Sequence, residues 1–285
     1  MKKLLGLDLG GSSIKYGLYS ESGEHLGEGG VVDLNATSTD TILEQIDTIK
    51  TGCSRVDGIG ISLPGKIDKH TGLITHGGAI KTLDGVDLRG IIQNKYNIDT
   101  VIENDANCAA LAEYWLGAGK GCETIVVMVV GTGIGGGLVI NGKLHHGSHS
   151  FSGELGTTVF GSEVKPEIKY YGMASTSNLV RRAALIDQKV TNGREFFANL
   201  TNPALQELYD QWITELAIGI YNTAMILDPC KYLIGGGISA QKDIYPAIKK
   251  VINEITYYPN DLIIEPCRFG NEAGQIGAVY KLLYE

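Results

Sequence analysis

Runs of basic residues are missing from this 285-residue chain. Lys and Arg number 24 against 32 Asp and Glu, a formal charge of −8. That balance excludes the clustered cationic footprint of a nucleic-acid binder. No segment is apolar for long enough to span a bilayer, and the opening MKKLLGLDLGG is broken by charge and glycine before a secretory stretch is complete. Cysteine is scarce: Cys53, Cys108, Cys122, Cys230 and Cys267 are scattered, odd in number and form no C-x-x-C pair. This pattern supports neither a disulfide framework nor a cysteine-rich zinc site and, with reduced thiols, points to the cytoplasm. Proline is also scarce, at 7, whereas glycine reaches 39. Tight turns are therefore left to the residue that lets backbone and ligand approach most closely.

What is present is an internal repeat in a chain long enough for two ordinary domains. Lys3 to Leu9 reads as a buried strand, followed by the turn Gly10-Gly11-Ser12-Ser13, a strand from Ile14 to Tyr19 and a turn at Ser22-Gly23. The same order recurs from Thr124 to Val130, through Gly131-Thr132-Gly133, and into a strand ending at Asn141-Gly142, a hairpin signal. Helical spacing follows over Thr41 to Ile49, Ala174 to Leu185, Pro203 to Leu227, Lys242 to Ile255 and Gly277 to Leu283. A strand from Lys231 to Ile234 runs into Gly235-Gly236-Gly237 and a helix expected near Ala240. The expected architecture is α/β, with two domains meeting at a cleft: residues 1–107 plus 271–285, and residues 108–270.

A glycine turn between strands points several backbone N–H groups into one concavity that an anion can enter. Gly10, Gly11 and Ser12, with Lys15 nearby, and Thr132 with Gly133 are candidates to hold the phosphates of ATP, and Asp8 is placed to hold magnesium. A plain hairpin is the competing account of either turn alone. Neither turn has the Gly-Lys-Ser/Thr of a Walker loop, and a strand, not a helix, follows Gly133. Gly235, Gly236 and Gly237 end a strand where adenosine can lie against bare backbone, or where a helix simply packs closely.

Glu103-Asn104-Asp105-Ala106-Asn107 follows an apolar strand and opens a helix. Asn104 or Asp105 suits its N-cap; alternatively, Asp105 takes the proton of an attacking hydroxyl while Asn104 binds its neighbours. Glu154, set among glycines in Phe151-Ser152-Gly153-Glu154-Leu155-Gly156, is either a solvated loop residue or a ligand of two adjacent sugar hydroxyls. Gly65, in Ser62-Leu63-Pro64-Gly65, is a turn residue or a sugar contact. His145, His146 and His149 cluster without a cysteine at ligand spacing, so a surface loop is expected there and no zinc site.

Asp8-Leu9-Gly10-Gly11-Ser12, Glu103-Asn104-Asp105-Ala106-Asn107, Val130 to Gly137 and Gly153-Glu154-Leu155-Gly156 resemble, in order, the signatures of the ROK (repressor, open reading frame, kinase) sugar kinases. The resemblance spans nearly the whole chain. It implies an actin-like ATPase fold, a magnesium-ATP cofactor, transfer to a hexose hydroxyl, usually the 6-hydroxyl, and a homodimer. It makes Asp105 the base and Asn104 and Glu154 sugar ligands. Thr157 and Val159-Phe160-Gly161 stand where the family commonly carries a histidine and then a cysteine-rich zinc site, and Gly77 to Leu83 lacks an asparagine common in hexose-specific members. An acceptor altered at C1 or C2, a β-glucoside or N-acetylmannosamine, is thus as compatible as glucose. The first motif begins at Asp8, which argues against a preceding DNA-binding region. A non-catalytic sugar sensor and an actin-like ATPase without a sugar acceptor are the competing classes.

Overall fold

The structure, a computed structural model, describes residues 2–159, 174–255 and 262–285. Contacts divide the chain into two units. The first comprises Met1–Lys120, Leu144–Ser152 and Phe269–Glu285; the second comprises Gly121–Lys143 and Gly153–Arg268. The sequence reading ends the first domain at residue 107, but the helix that starts there packs within the first unit.

The first unit is built on β1 (Leu4–Leu9), β2 (Ser13–Tyr19), β3 (His25–Asp33), α1 (Thr39–Gly52), β4 (Gly58–Leu63), β5 (Lys66–Ile67), β6 (Ile74–His76), α2 (Leu88–Tyr96), β7 (Thr100–Asn104) and α3 (Asp105–Trp115). Its main sheet has the order β3-β2-β1-β4-β7. β1, β4 and β7 run parallel while β2 is antiparallel to β1. Strand alternation divides the labour of β1. Leu5, Leu7 and Leu9 enter the core beside Ile42 and Ile46 of α1 and Leu88 of α2, leaving Gly6 and Asp8 to the opposite face.

The second unit contains β8 (Ile125–Val130), β9 (Ile134–Ile140), α4 (Thr176–Ile186), α5 (Gly193–Ala198), α6 (Pro203–Leu227), β11 (Lys231–Gly235), α7 (Ile244–Ile255) and β12 (Ile263–Pro266), and its boundary falls within β10 (Lys143–Leu144). Its sheet order, β10-β9-β8-β11-β12, repeats that of the first unit. A second core, with Trp212 and Tyr232 fully buried, fills it. α6 begins as its sequence dictates, with Asn202 capping Ala204 N–H and Pro203 in the first turn. The helix expected near Ala240 starts instead at Ile244, after a short 3₁₀ turn over Gly237–Ala240.

The last helix, α8 (Ala273–Tyr284), returns to the first unit and starts four residues before the expected Gly277. Glycine costs stability inside a helix, yet close packing requires Gly274 and Gly277. A Cβ on Gly277 would lie 1.8 Å from the Cys108 carbonyl oxygen of α3, and one on Gly274 would lie 2.5 Å from Asp8 Oδ1. Cys122 and Cys230 form a disulfide, contrary to the expectation of unpaired thiols, with Cα atoms 5.9 Å apart. They precede β8 and β11, adjacent parallel strands in which Ile125 pairs with Lys231; sequence spacing alone carries no sign of that adjacency. Among the described residues no helix is long and apolar enough to cross a membrane.

Candidate active site

In the first unit the three parallel strands deliver the expected residues to one sheet edge. Asp8 pairs with Ser62 across β1 and β4, and Leu63 pairs with Asn104 across β4 and β7. Ligands of open α/β sheets gather at such carboxyl ends. Ser62 Oγ donates to Asp8 Oδ1 at 2.8 Å. Lys15 Nζ lies 3.7 Å from Asp8 Oδ2 and donates to Asn271 Oδ1 at 3.2 Å. Burial pushes the Asp8 carboxyl above its ordinary range, against the smaller opposing effects of Ser62 and Lys15. A carboxylate at a strand end is the hard oxygen donor that suits a magnesium ion whose other ligands are water and phosphate oxygens. Among the described residues no cluster of three or more His, Cys, Asp or Glu residues forms a cage of its own. The Gly10–Ser12 turn is closed by Gly10 N–H donating to Ser13 O at 2.8 Å.

At the end of β7 the capping question resolves in favour of Asn104. Its side-chain oxygen accepts from Ala106 and Asn107 N–H, so Asp105 is the first helical residue and is exposed. Asp105 Oδ1 also accepts from Ala106 N–H at 2.8 Å. Asn104 Nδ2 donates to Gly65 O at 2.9 Å, which uses one of its two amide hydrogens. Gly65 has φ +106°, and a Cβ there would lie 2.0 Å from His76 O. Its glycine is therefore explained by the turn that holds Asn104.

Sequence reasoning missed the residue just before this pair. Glu103 is 4% exposed. Its Oε1 accepts from Asn104 N–H at 2.8 Å and Asn107 Nδ2 at 2.9 Å. Its Oε2 lies 2.8 Å from His146 Nε2 and accepts from Lys281 Nζ at 2.6 Å. Burial alone would raise its pKa, but His146 and Lys281 together hold it down at about 2. The signal available in the sequence was an acidic residue ending an otherwise apolar strand, which burial forces to find partners. His146, weighed in the sequence as a zinc ligand, contacts Glu103 instead.

In the second unit Gly131 N–H donates to Gly133 O at 2.8 Å, closing a three-residue turn, Gly131-Thr132-Gly133, between Val130 and Ile134. Gly131 lies outside the positive-φ region, and a Cβ there would meet nothing within 4 Å. Among the described residues, neither backbone strain nor packing explains this glycine. Gly236 is the opposite case: its φ is +84° and a Cβ would lie 2.1 Å from Val130 O. That close approach seats Gly235–Gly237 beside the Gly131 turn, while Gly237 itself faces open space. Thr176 N–H, at the start of α4, donates to Gly131 O at 3.0 Å. Glu154 is exposed, before a 3₁₀ turn over Leu155–Thr157, and Gly153 packs against Gly136 of β9.

The sequence profile described as the ROK family matches residues 4–283. The chain belongs to the ROK family. It is 34% identical over 293 residues to a beta-glucoside kinase of Listeria innocua, with 99% of this chain and 98% of that one covered. It is 30% identical over 308 residues to a glucokinase of Halalkalibacterium halodurans, covering 96% and 92%. Among solved structures, a ROK hexokinase from Thermus thermophilus aligns with TM-score 0.87 at 28% identity, over 98% of this chain and 97% of that one. The fold is the two-domain actin-like ATPase fold of the ROK sugar kinases. Of the positions where the chain departs from the usual ROK pattern, Thr157 lies in the 3₁₀ turn after Glu154, and Phe160 and Gly161 lie outside the described residues.

Proposed function

We propose that this ROK protein is an ATP-dependent sugar kinase that transfers the γ-phosphate to the 6-hydroxyl of a β-glucoside. The observation that carries the kinase reading is the arrangement at the end of β7. Asn104 is the N-cap, and Asp105, which shares the Ala106 N–H with it, stands exposed at the first helical position. In this reading Asp105 accepts the proton of the attacking hydroxyl as the oxygen–phosphorus bond forms and ADP leaves. The second amide hydrogen of Asn104 and the Glu154 carboxylate bind ring hydroxyls, with Gly65 holding the Asn104 amide in orientation. The turns at Gly10–Ser12 and Thr132–Gly133 hold phosphates through backbone N–H groups, Lys15 adds a positive charge, and Gly235–Gly237 accept the adenosine. Asp8 is the residue that would hold magnesium, which neutralises charge on the phosphates.

Two observations favour a β-glucoside over free glucose or N-acetylmannosamine. The Listeria innocua relative is named for that activity. Phe151, three residues before Glu154, leaves 62% of its surface exposed, and the Lys66 ammonium sits 3.4 Å from its ring centre. Lys66 follows Gly65, the residue bonded to Asn104, so an apolar ring stands near the acceptor residues, where the substituent at C1 of a glucoside can stack. Coupled ADP release with magnesium-ATP tests the proposal against cellobiose, aryl β-glucosides, glucose, N-acetylmannosamine, N-acetylglucosamine, fructose and a sugar-free control. The expected result is the highest kcat/KM with β-glucosides. A preference for glucose or an N-acetyl sugar would overturn the acceptor; hydrolysis without sugar, or silence throughout, would overturn the kinase.

A further inference from the structure

Leu144–Ser152 packs with the first unit, although Gly121–Lys143 before it and Gly153–Arg268 after it belong to the second. Four contacts of this nine-residue strap each involve an ionisable side chain of the first unit. Leu144 N–H donates to Glu285 Oε1 at 3.4 Å, Lys69 Nζ donates to Gly147 O, and the Lys66 ammonium caps the Phe151 ring. The most buried tether is His146 Nε2 to Glu103 Oε2, at 2.8 Å. The other carboxylate oxygen of Glu103 receives the backbone N–H of Asn104 and the side chain of Asn107. One carboxylate thus joins the strap, the last helix through Lys281 and the turn that presents Asn104 and Asp105.

Glu103 is buried away from solvent. Without His146, Oε1 would keep Asn104 N–H and Asn107 Nδ2, but Oε2 would keep only Lys281, a compact ammonium on a flexible stem that sets direction less strictly than a planar ring N–H. We infer that His146 is a positioning residue: by holding Glu103 Oε2 it fixes the orientation of the Asn104–Asp105 turn, and thereby of the catalytic base and the sugar-binding amide. The inference rests on the sugar-kinase reading, and its test is arranged to fail separately from it.

The acceptor that gives the wild-type protein its highest kcat/KM is used for steady-state kinetics on His146→Ala, His146→Gln and His146→Asn, with a thermal melt of each. Loss of the Glu103 contact should lower kcat/KM for the sugar by roughly 10–100-fold in His146→Ala, the scale of a small misplacement of reacting groups, while KM for ATP stays within about twofold. Glutamine, whose amide N–H reaches about as far as Nε2, should restore most of the activity; asparagine, whose N–H ends near the Nδ1 position, should not. Kinetics unchanged in His146→Ala, even with a lowered melting temperature, would show a purely structural residue. A parallel rise in KM for ATP, or equal activity of the Gln and Asn variants, would also overturn the inference, and the Gln and Asn pair decides the matter should His146→Ala fail to fold. A wild-type protein silent with every sugar removes the kinase reading and this inference with it; an active wild type with an unaffected His146→Ala removes this inference alone.

Discussion

The two units share one strand order, β3-β2-β1-β4-β7 in the first and β10-β9-β8-β11-β12 in the second, and each closes its first hairpin with a glycine turn. They surround that turn differently. The first is flanked by side chains: Asp8 bonded to Ser62, and Lys15 bonded to Asn271. The second is flanked by backbone, with Val130 O pressed against Gly236 and with empty space beside Gly131. The strand order is shared, while ionisable side chains flank the turn in the first unit and backbone flanks it in the second. Side-chain substitutions should therefore act on turnover in the first unit, and changes at glycine should act on ATP in the second.

The sharpest break of that contrast is Asp105→Ala. Turnover should fall by about 10²–10⁴-fold, the range for loss of a general base, with ATP affinity by calorimetry and the melting temperature nearly unchanged. Normal turnover would remove Asp105 from the chemistry. Next in size is Glu103→Gln, which leaves Lys281 with only the longer, 3.6 Å pairing to Glu285 and should destabilise the protein by about 1.5–3 kcal/mol. Wild-type Glu103 has a folded pKa of about 2 against an ordinary 4.5. Its contribution is complete above pH 4.5 and is lost as the pH falls toward 2. Denaturant unfolding across that window should show a steeper slope in the wild type than in Glu103→Gln, where the other lowered carboxylates, such as Asp57 and Asp68, still contribute; identical slopes would contradict the buried ionised state.

Smaller effects should separate two glycines of the second unit. Gly131→Ala meets neither a neighbour within 4 Å nor a left-handed backbone, so its stability should match the wild type while KM for ATP rises by roughly tenfold, through crowding of the phosphate cradle. Gly236→Ala, at φ +84° and against Val130 O, should lose roughly 1–3 kcal/mol of stability. If Gly131→Ala destabilises the fold and binds ATP normally, the turn is only a hairpin.

Much of this was legible because it is local. Alternation over Leu4–Leu9, the turn glycines and the Asn-capped, proline-started helix at Pro203 each follow from neighbours in sequence, and so did the pairing of Asn104 with Asp105. What stayed hidden depends on distant partners. Glu103, His146 and Lys281 are joined across 178 residues of chain, and the Cys122–Cys230 disulfide closes a separation of 108. The helix was expected to begin at Gly277, and nothing local shows why Gly274 lies inside it, because the surfaces that demand the two glycines, Asp8 and Cys108, lie far away in sequence. Composition did suggest glycine-dependent close approach, but not which glycines serve the fold and which stay open.

The smallest expected effect bears on the acceptor. In Phe151→Ala the strap keeps its His146 and Lys69 tethers, and Lys66 loses only the ring beneath its ammonium, so folding and turnover of free glucose should change little. A β-glucoside whose substituent stacks on that ring should lose roughly three- to tenfold in kcat/KM, the worth of one aromatic contact. The ratio of kcat/KM for an aryl β-glucoside to that for glucose is the quantity to measure, because any general damage to the strap cancels in it. A ratio unchanged by the substitution would detach Phe151 from the acceptor and leave the β-glucoside assignment resting on the relatives alone. A lowered ratio would put the selection of the acceptor in the same unit that holds Asp8 and Asp105, which sharpens the contrast between a half of side chains and a half of backbone.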